Sequence, residues 1–313
     1  MSTNLSAISP LIRPNERGSA IDLVFRDTDL INFLRSKGRF VSAVGGSPHA
    51  WNIQVAGTDT SETYVEGQAL PLAGTPSFKS ASVAATYFRA VAKVSGHVRD
   101  QIARGGTYED AQQRAILTEE KNLYSRIEAA MLGTTVDFGI ASVVDAADLY
   151  GGINPAVVTE WASLETNVAG ALTASVLNIM YRTLTDSPRG ATPDTILASQ
   201  LQTEKYTNLI GPANSTGLAF RPRDEFGKPY DLGMAKTAAL SFNGAEWVPI
   251  RLMTNTELYM LDIASGFDIF IQRDLEVTPL AKTTDDQSWQ LSTALFPVVA
   301  NRRKQGKLTG LST

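Results

Sequence analysis

Histidine, cysteine and paired acidic residues are where catalysis or metal binding would have to start, and this sequence offers them sparingly. Its 313 residues hold two histidines, His49 and His97, and no cysteine. An activated Ser or Cys nucleophile needs a base within reach, so a hydrolytic triad has almost no material here. His49 stands at the foot of an extended stretch and His97 follows an apolar one, and a satisfied structural imidazole accounts for both. Without thiolates, HExxH or paired His–carboxylate spacing, no metal site is spelled out. Gly105-Gly106 precedes a long helical pattern, yet the Gly-Lys-Ser/Thr ending of a phosphate loop is absent. Carboxylates adjoin at Glu119-Glu120 and Asp285-Asp286. Pairs adjacent in sequence are usually a solvated helix face or turn, not the acid and base of a glycosidase. Trp and Tyr are spread along the chain, which suits core and interface packing better than a stacking platform. The sequence therefore names no catalytic residue, metal ligand or cofactor, and an enzyme is its weakest reading.

Composition narrows the remaining classes. A hydrophobic content of 43% with 19% charged residues is that of a soluble globular protein. The length suits one large domain or two modest ones. No apolar run reaches bilayer length, and the first residues lack the basic start and apolar core of a secretory signal. Absence of cysteine fits assembly in a reducing cytoplasm. A net charge of −4 argues against a dedicated nucleic-acid reader. Positive charge gathers near the ends, at Arg13, Arg17, Arg26, Arg35, Lys37 and Arg39 and again at Arg302, Arg303, Lys304 and Lys307. Arg13, Arg17, Arg26, Arg35, Arg302 and Arg303 are the candidates to face a polyanion, although solvated termini are the plainer reading.

The elements that would carry a function are more telling than any single residue. Residues 1–47 are polar and irregular, with one short amphipathic helix expected at Thr28–Lys37, where Leu30, Ile31, Phe33 and Leu34 supply an apolar face. An arm of this kind orders against something else. Over 48–94, Trp51, Ile53 and Val55 alternate with polar residues as in a strand. Ala56–Glu62 lacks any large apolar side chain and reads as an exposed tip. The chain then returns through Tyr64, Glu66, Pro71 and Phe78 into a Val-, Ala- and aromatic-rich stretch, Ser80–Val94. An isolated two-stranded ribbon is marginal in water, so this hairpin needs a partner surface. The clearest helix is expected over Thr107–Leu132, with Thr107 as N-cap and Gly133 as stop. From Gly151 a second α/β region is expected. It has a helix over Asn167–Thr185, a strand at Thr195–Ala198, a Ser199-capped helix over Gln200–Ile210, and an Asn243-Gly244 hairpin turn. Strands are expected at Trp247–Met253, Glu257–Ile263, Phe267–Gln272, Glu276–Leu280 and Trp289–Leu295.

This order of parts resembles the Hong Kong 97-type major capsid proteins of tailed bacteriophages, over nearly the whole chain. The passage Tyr64-Val65-Glu66-Gly67-Gln68-Ala69-Leu70-Pro71, continuing to Phe78-Lys79 and Ala90–Ser95, looks like that family's extended loop. Pro193 to Tyr230 is similar to the start of its axial domain, and Asp268 to Arg302 resembles its closing strands. The resemblance implies an α+β subunit with an N-terminal arm (1–47), an extended hairpin and return strand (48–94), a peripheral domain with its spine helix at 107–132 (95–150), an axial domain (151–265), and closing peripheral strands with the C-terminus (266–313). It implies a structural shell subunit, not an enzyme, that tiles hexamers and pentamers of an icosahedral capsid around double-stranded DNA. That places it in the virion after assembly in the host cytoplasm, with portal, scaffolding and decoration proteins as partners and no membrane. Hairpin residues Trp51, Tyr64, Glu66, Leu70, Pro71 and Phe78, and arm residues Leu30, Phe33 and Leu34, would contact neighbouring copies.

Two departures qualify the resemblance. The hairpin begins within the first fifty residues, so no long scaffolding extension precedes it and a separate scaffolding protein is expected. Some members crosslink through a hairpin lysine just before the proline; here that position is Leu70, and no lysine lies between Thr58 and Ser77, so an uncrosslinked shell is expected. An encapsulin-type compartment, which shares the fold but encloses cargo protein, is the nearest alternative. A β-rich binding or adhesive protein is more remote.

Overall fold

The computed structural model describes residues 28–43, 46, 48–56, 75–95, 111–210, 240–281 and 285–313. The first described elements are helix α1 (Asp29–Ser36) and the short strand β1 (Phe40–Ser42). Strands β2 (His49–Ala56) and β3 (Ser77–Val83) pair antiparallel as a two-stranded ribbon, Trp51 opposite Ala81 and Gln54 opposite Phe78. The apolar stretch expected from Ser80 to Val94 divides at Ala84-Ala85, and its second half is β4 (Thr86–Val94), which belongs to a different sheet.

Helix α2 (Ala111–Leu132) occupies the described part of the span expected from Thr107. Leu123, Ile127 and Met131 are buried along one stripe, whereas Leu117, expected on it, is exposed. Beyond the helix, a Cβ on Gly139 would collide with the carbonyl oxygen of Gly133, so the turn into the short helix α3 (Ile140–Val143) closes only with glycine there.

The helix expected over Asn167–Thr185 occupies only its second half, α4 (Ala174–Thr185). Leu164–Gly170 is strand β5, alternately half-buried and exposed. Apolar spacing alone does not separate the two periods in so short a stretch. Thr173 decides the boundary, since its hydroxyl accepts the N–H of Val176 at 3.3 Å, and the left-handed φ of +47° at Ala169 excludes a helix upstream. Strand β6 (Thr195–Ala198) and helix α5 (Gln200–Ile210) lie where expected, with Ser199 Oγ accepting the Gln202 N–H. Asn243-Gly244 joins β7 (Ser241–Phe242) to β8 (Ala245–Pro249) with φ of +49° and +87°, the positive pair a type I′ turn demands. After β9 (Leu258–Leu261) come two long strands, β10 (Phe267–Pro279) and β11 (Gln287–Val299), where shorter pieces were expected. A 3-10 turn at Arg302–Lys304 leads to β12 (Gly306–Leu311).

Two larger sheets result, one of four strands ordered β1-β10-β11-β4 and one of six ordered β5-β12-β9-β6-β8-β7. β12, grouped by sequence with the closing peripheral strands of 266–313, instead lies inside the six-stranded sheet, parallel to β5 and antiparallel to β9. Against that sheet pack Leu177, Met180 and Leu184 of α4 and Tyr206 of α5, over Ile196, Trp247, Leu258, Met260 and Leu308. Each such fully buried aliphatic side chain contributes about 2 kcal/mol. Tyr206 stacks on Trp247 at 4.0 Å, and the Trp247 indole donates to Thr203 Oγ1 at 3.0 Å, so the aromatic pair is fixed at its polar end too.

The chain forms two compact units. One includes Arg89–Leu123 and Glu276–Ser292; in it Leu280 N donates to Ser288 O at 2.9 Å and Lys93 pairs with Asp286 at 2.6 Å. The other comprises Asp27–Phe88, Tyr124–Leu275 and Thr293–Thr313 and contains the six-stranded sheet and the ribbon.

Candidate functional site

The ribbon is firm at its foot and bare farther out. Ser82 N donates to Gly151 O at 3.0 Å, and the Trp51 ring lies 6.1 Å from that of Tyr150. His49 stacks on Phe270 at 4.5 Å, with Phe296 beyond it, so this imidazole is a packing group. Gly151 has φ +60°, and a Cβ there would press on Ala81 at 3.0 Å. Farther along, Asn52, Gln54 and all of Ser77–Ser80 are exposed, and Phe78 leaves 63% of its surface in solvent. Beside this bare end lie Val157, 73% exposed, and an open cavity of about 360 Å³ lined by Lys79, Gly152 and Val158. Among the described residues this ribbon pairs only within itself, β2 to β3, and Phe78 is its exposed aromatic side chain. Of the other expected hairpin contacts, Tyr64, Glu66, Leu70 and Pro71 lie outside the described residues.

The arm residues behave differently from expectation. Leu30 and Leu34 are fully buried in this chain's own core, and Phe33 is half-buried, so the first two have no surface left for a neighbour. The reason is Glu128 on α2. Its carboxylate, itself 0% exposed, accepts the N–H groups of Leu30 and Ile31 at 3.2 Å each and so satisfies the amino end of α1. Thr28 makes no side-chain cap to the helix backbone. Ion pairs of Asp29 with Arg251 at 3.5 Å, Lys37 with Glu246 at 2.6 Å and Arg39 with Asp268 at 3.4 Å tie the same segment to three further places. Sequence reasoning missed Glu128, although a signal existed: a carboxylate falls on the stripe that carries Leu123, Ile127 and Met131.

The basic candidates also separate. Arg302 cannot face DNA or a neighbour, because it is 0% exposed. Its guanidinium donates to the carbonyls of Asp148 at 2.7 Å, Ser142 at 3.4 Å and Asp145, over the Tyr150 ring. Burial lowers its pKa, opposed by Asp145. Nothing in Arg302-Arg303-Lys304 distinguishes this buried arginine from a solvated run. Arg303 is half-exposed, and its carbonyl accepts from Arg189 at 2.7 Å. Arg35 is exposed, with Phe40 and Tyr124 beneath its guanidinium. Arg13, Arg17 and Arg26 lie outside the described residues, as does His97. Among the described residues no group of three His, Asp or Glu side chains could hold a metal ion, and no helix is long and apolar enough to cross a membrane.

A bare ribbon, a long helix, a mixed sheet with its own helical cover and a second sheet of long strands define the Hong Kong 97-type capsid fold. Solved structures share it. A cyanophage A-1(L) capsid subunit superposes with a TM-score of 0.73 at 16% identity, covering 99% of this chain and 100% of the other. A subunit from the capsid of a native GTA particle gives 0.70 at 14% identity, with both chains covered in full. The holo-SrpI encapsulin of Synechococcus elongatus PCC 7942 gives 0.64 at 11% identity, over 100% of this chain and 97% of the other. Residues 26–312 match the model of the SU10 major capsid protein family, and the chain belongs to that family. It is a major capsid protein, a subunit of a phage shell built from copies of itself. No curated protein sequence matches it.

Proposed function

We propose that the shell this chain builds encloses double-stranded DNA, and that the ribbon locks adjacent subunits by lying on a second copy. The observation that carries the ribbon's role is its described outer end, where Phe78 is 63% exposed opposite Gln54 on a sheet of two strands. A two-stranded ribbon is marginal in water unless packed against further surface, and beyond its foot a second copy supplies that surface. Trp51 and Phe78 mark its foot and its described outer end, with Tyr64, Glu66, Leu70 and Pro71 on the segment between β2 and β3. Among the described arm candidates, half-buried Phe33 and the exposed Arg35 are those left for a neighbour. The sheet of β5 to β12 is the axial domain in this reading, and assembly takes place in the host cytoplasm with portal, scaffolding and decoration proteins.

Deletion of Ala56–Leu70 tests the ribbon. The variant should give a folded subunit, by circular dichroism and cooperative melting, that forms no particles by electron microscopy. Wild-type-like particles would overturn the assignment. The encapsulin fold neighbour keeps one second reading open, a compartment filled with protein. Nuclease-protected DNA inside purified particles supports the genome shell, and protein cargo without DNA supports the compartment.

A further inference from the structure

Lys307 sits in mid-strand on β12 and is 5% exposed, an uncommon place for an ammonium group. Its partners in register are Glu165 on β5 and Tyr259 on β9. Its Nζ stands 3.4 Å from Asp145 Oδ2 and 3.5 Å from Glu257 Oε1, and donates to Ala141 O at 3.4 Å. Both carboxylates are held. The Tyr259 hydroxyl donates to Glu257 Oε2 at 2.6 Å, and Ala147 N donates to Asp145 Oδ1 at 2.9 Å. The shell role uses none of these groups. One buried amine, one acyl donor and one further carboxylate, the last two partly exposed, are the parts needed to join a lysine to an aspartate.

We propose that Lys307 and Asp145 form an intramolecular isopeptide bond, with Glu257 carrying the proton. Passage of the Lys307 proton to Asp145 across their 3.4 Å contact gives the reacting pair, an amine and a carboxyl. The amine attacks Asp145 Cγ, and the Ala147 N–H stabilises the oxyanion that develops on the carboxyl. Glu257 takes a proton from the attacking nitrogen and returns it to the departing hydroxyl. The C–O bond breaks, the C–N bond stands, one water leaves and Glu257 is again a carboxylate. No oxidant, metal or co-reactant is consumed. Asp145 is the acyl donor because one of its oxygens faces the amine while the other meets a backbone donor. Glu257 has Tyr259 on its far oxygen and its near oxygen turned to the amine, the position of a proton carrier. Fixed approach of this kind replaces an external catalyst by effective concentration.

The inference concerns the chain's own fold and stands or falls apart from the shell reading. The test is the intact mass of the full-length folded protein, measured after denaturation, followed by peptide mapping. The expected result is a mass lighter than the sequence by one water and a branched peptide joining the fragments that hold Asp145 and Lys307. Glu257→Gln and Lys307→Arg should each restore the full mass. Asp145→Asn should lose one ammonia in place of water, because an amide is also an acyl donor. A wild-type mass equal to the sequence overturns the proposal without reference to any variant. So does a water loss that maps to a succinimide in a linear peptide.

Discussion

The carboxylate of Glu128 accepts the backbone N–H of Leu30 at 3.2 Å across 98 residues of sequence. This contact fixes the arm segment to the long helix, and it converts what reads as a surface-seeking amphipathic helix into part of the core. Glu128→Ala would leave two buried backbone donors without their acceptor. The cost should be about 3 kcal/mol, read as a lower midpoint in urea unfolding of the unassembled subunit. An unchanged midpoint would remove Glu128 from this role.

Arg302→Met should destabilise the subunit by about 3 kcal/mol, since three carbonyls lose their donor, and should leave the DNA content of assembled particles unchanged. Particles depleted in DNA but normal in stability would mean that this arginine does meet the genome.

Gly139 has an ordinary φ of −78°, so alanine there is penalised by contact alone. Its Cβ would strike the Gly133 carbonyl, which is backbone and cannot rotate away. Gly139→Ala should lower stability by about 2 kcal/mol or abolish soluble expression. Gly170→Ala is the control: its nearest neighbour would be Val168 O at 3.8 Å, and its melting should match the parent.

Alkaline conditions should weaken the subunit in a defined window. Burial pushes the pKa of Tyr150 far up, and burial followed by the Glu257 carboxylate does the same for Tyr259. In the unfolded chain both ionise near pH 10, while in the folded chain they stay neutral. Stability is therefore full below about pH 10 and falls above it, by about 1.4 kcal/mol per pH unit for each tyrosine. Tyr150→Phe should be less stable at neutral pH, because Val299 N loses its 2.7 Å acceptor, yet show a shallower loss above pH 10. Parallel pH profiles would contradict this.

How much of this was legible follows from where the information sits. Ser199, Asn243-Gly244 and Gly133 act on their immediate neighbours, and the elements they bound lie where the sequence puts them. Asn167–Thr173 failed because Val168 and Leu172 suit either period, and the parallel partner β12 that decides the matter is more than a hundred residues away in sequence. The long strands β10 and β11 looked broken because Arg273, Asp274 and Glu276 interrupt the apolar pattern, but that half of β10 is exposed or half-exposed and needs no apolar face. The site was harder to read than the fold. Burial of Leu30, Leu34 and Arg302 depends on Glu128, Asp145, Ser142 and Asp148, none of which is near them in sequence.

Phe78→Asp should change the stability of the isolated subunit by no more than about 0.5 kcal/mol, because the side chain is largely in solvent already. Particle yield should fall sharply. Normal yield would show that the exposed ring is not a subunit contact. Mature particles should also give single-subunit bands on denaturing gels, as Leu70 provides no amine for a bond between copies; a covalent ladder would refute this.

The place of β12 has a consequence for the timing of synthesis. β5 reaches the rest of its sheet through β12, yet the two are made far apart: β5 is complete at Gly170 and β12 only at Leu311. In a nascent chain β5 therefore stays unjoined to β9 until residue 311 has cleared the ribosome. Chains made only as far as β9 lack the strand that completes this six-stranded sheet.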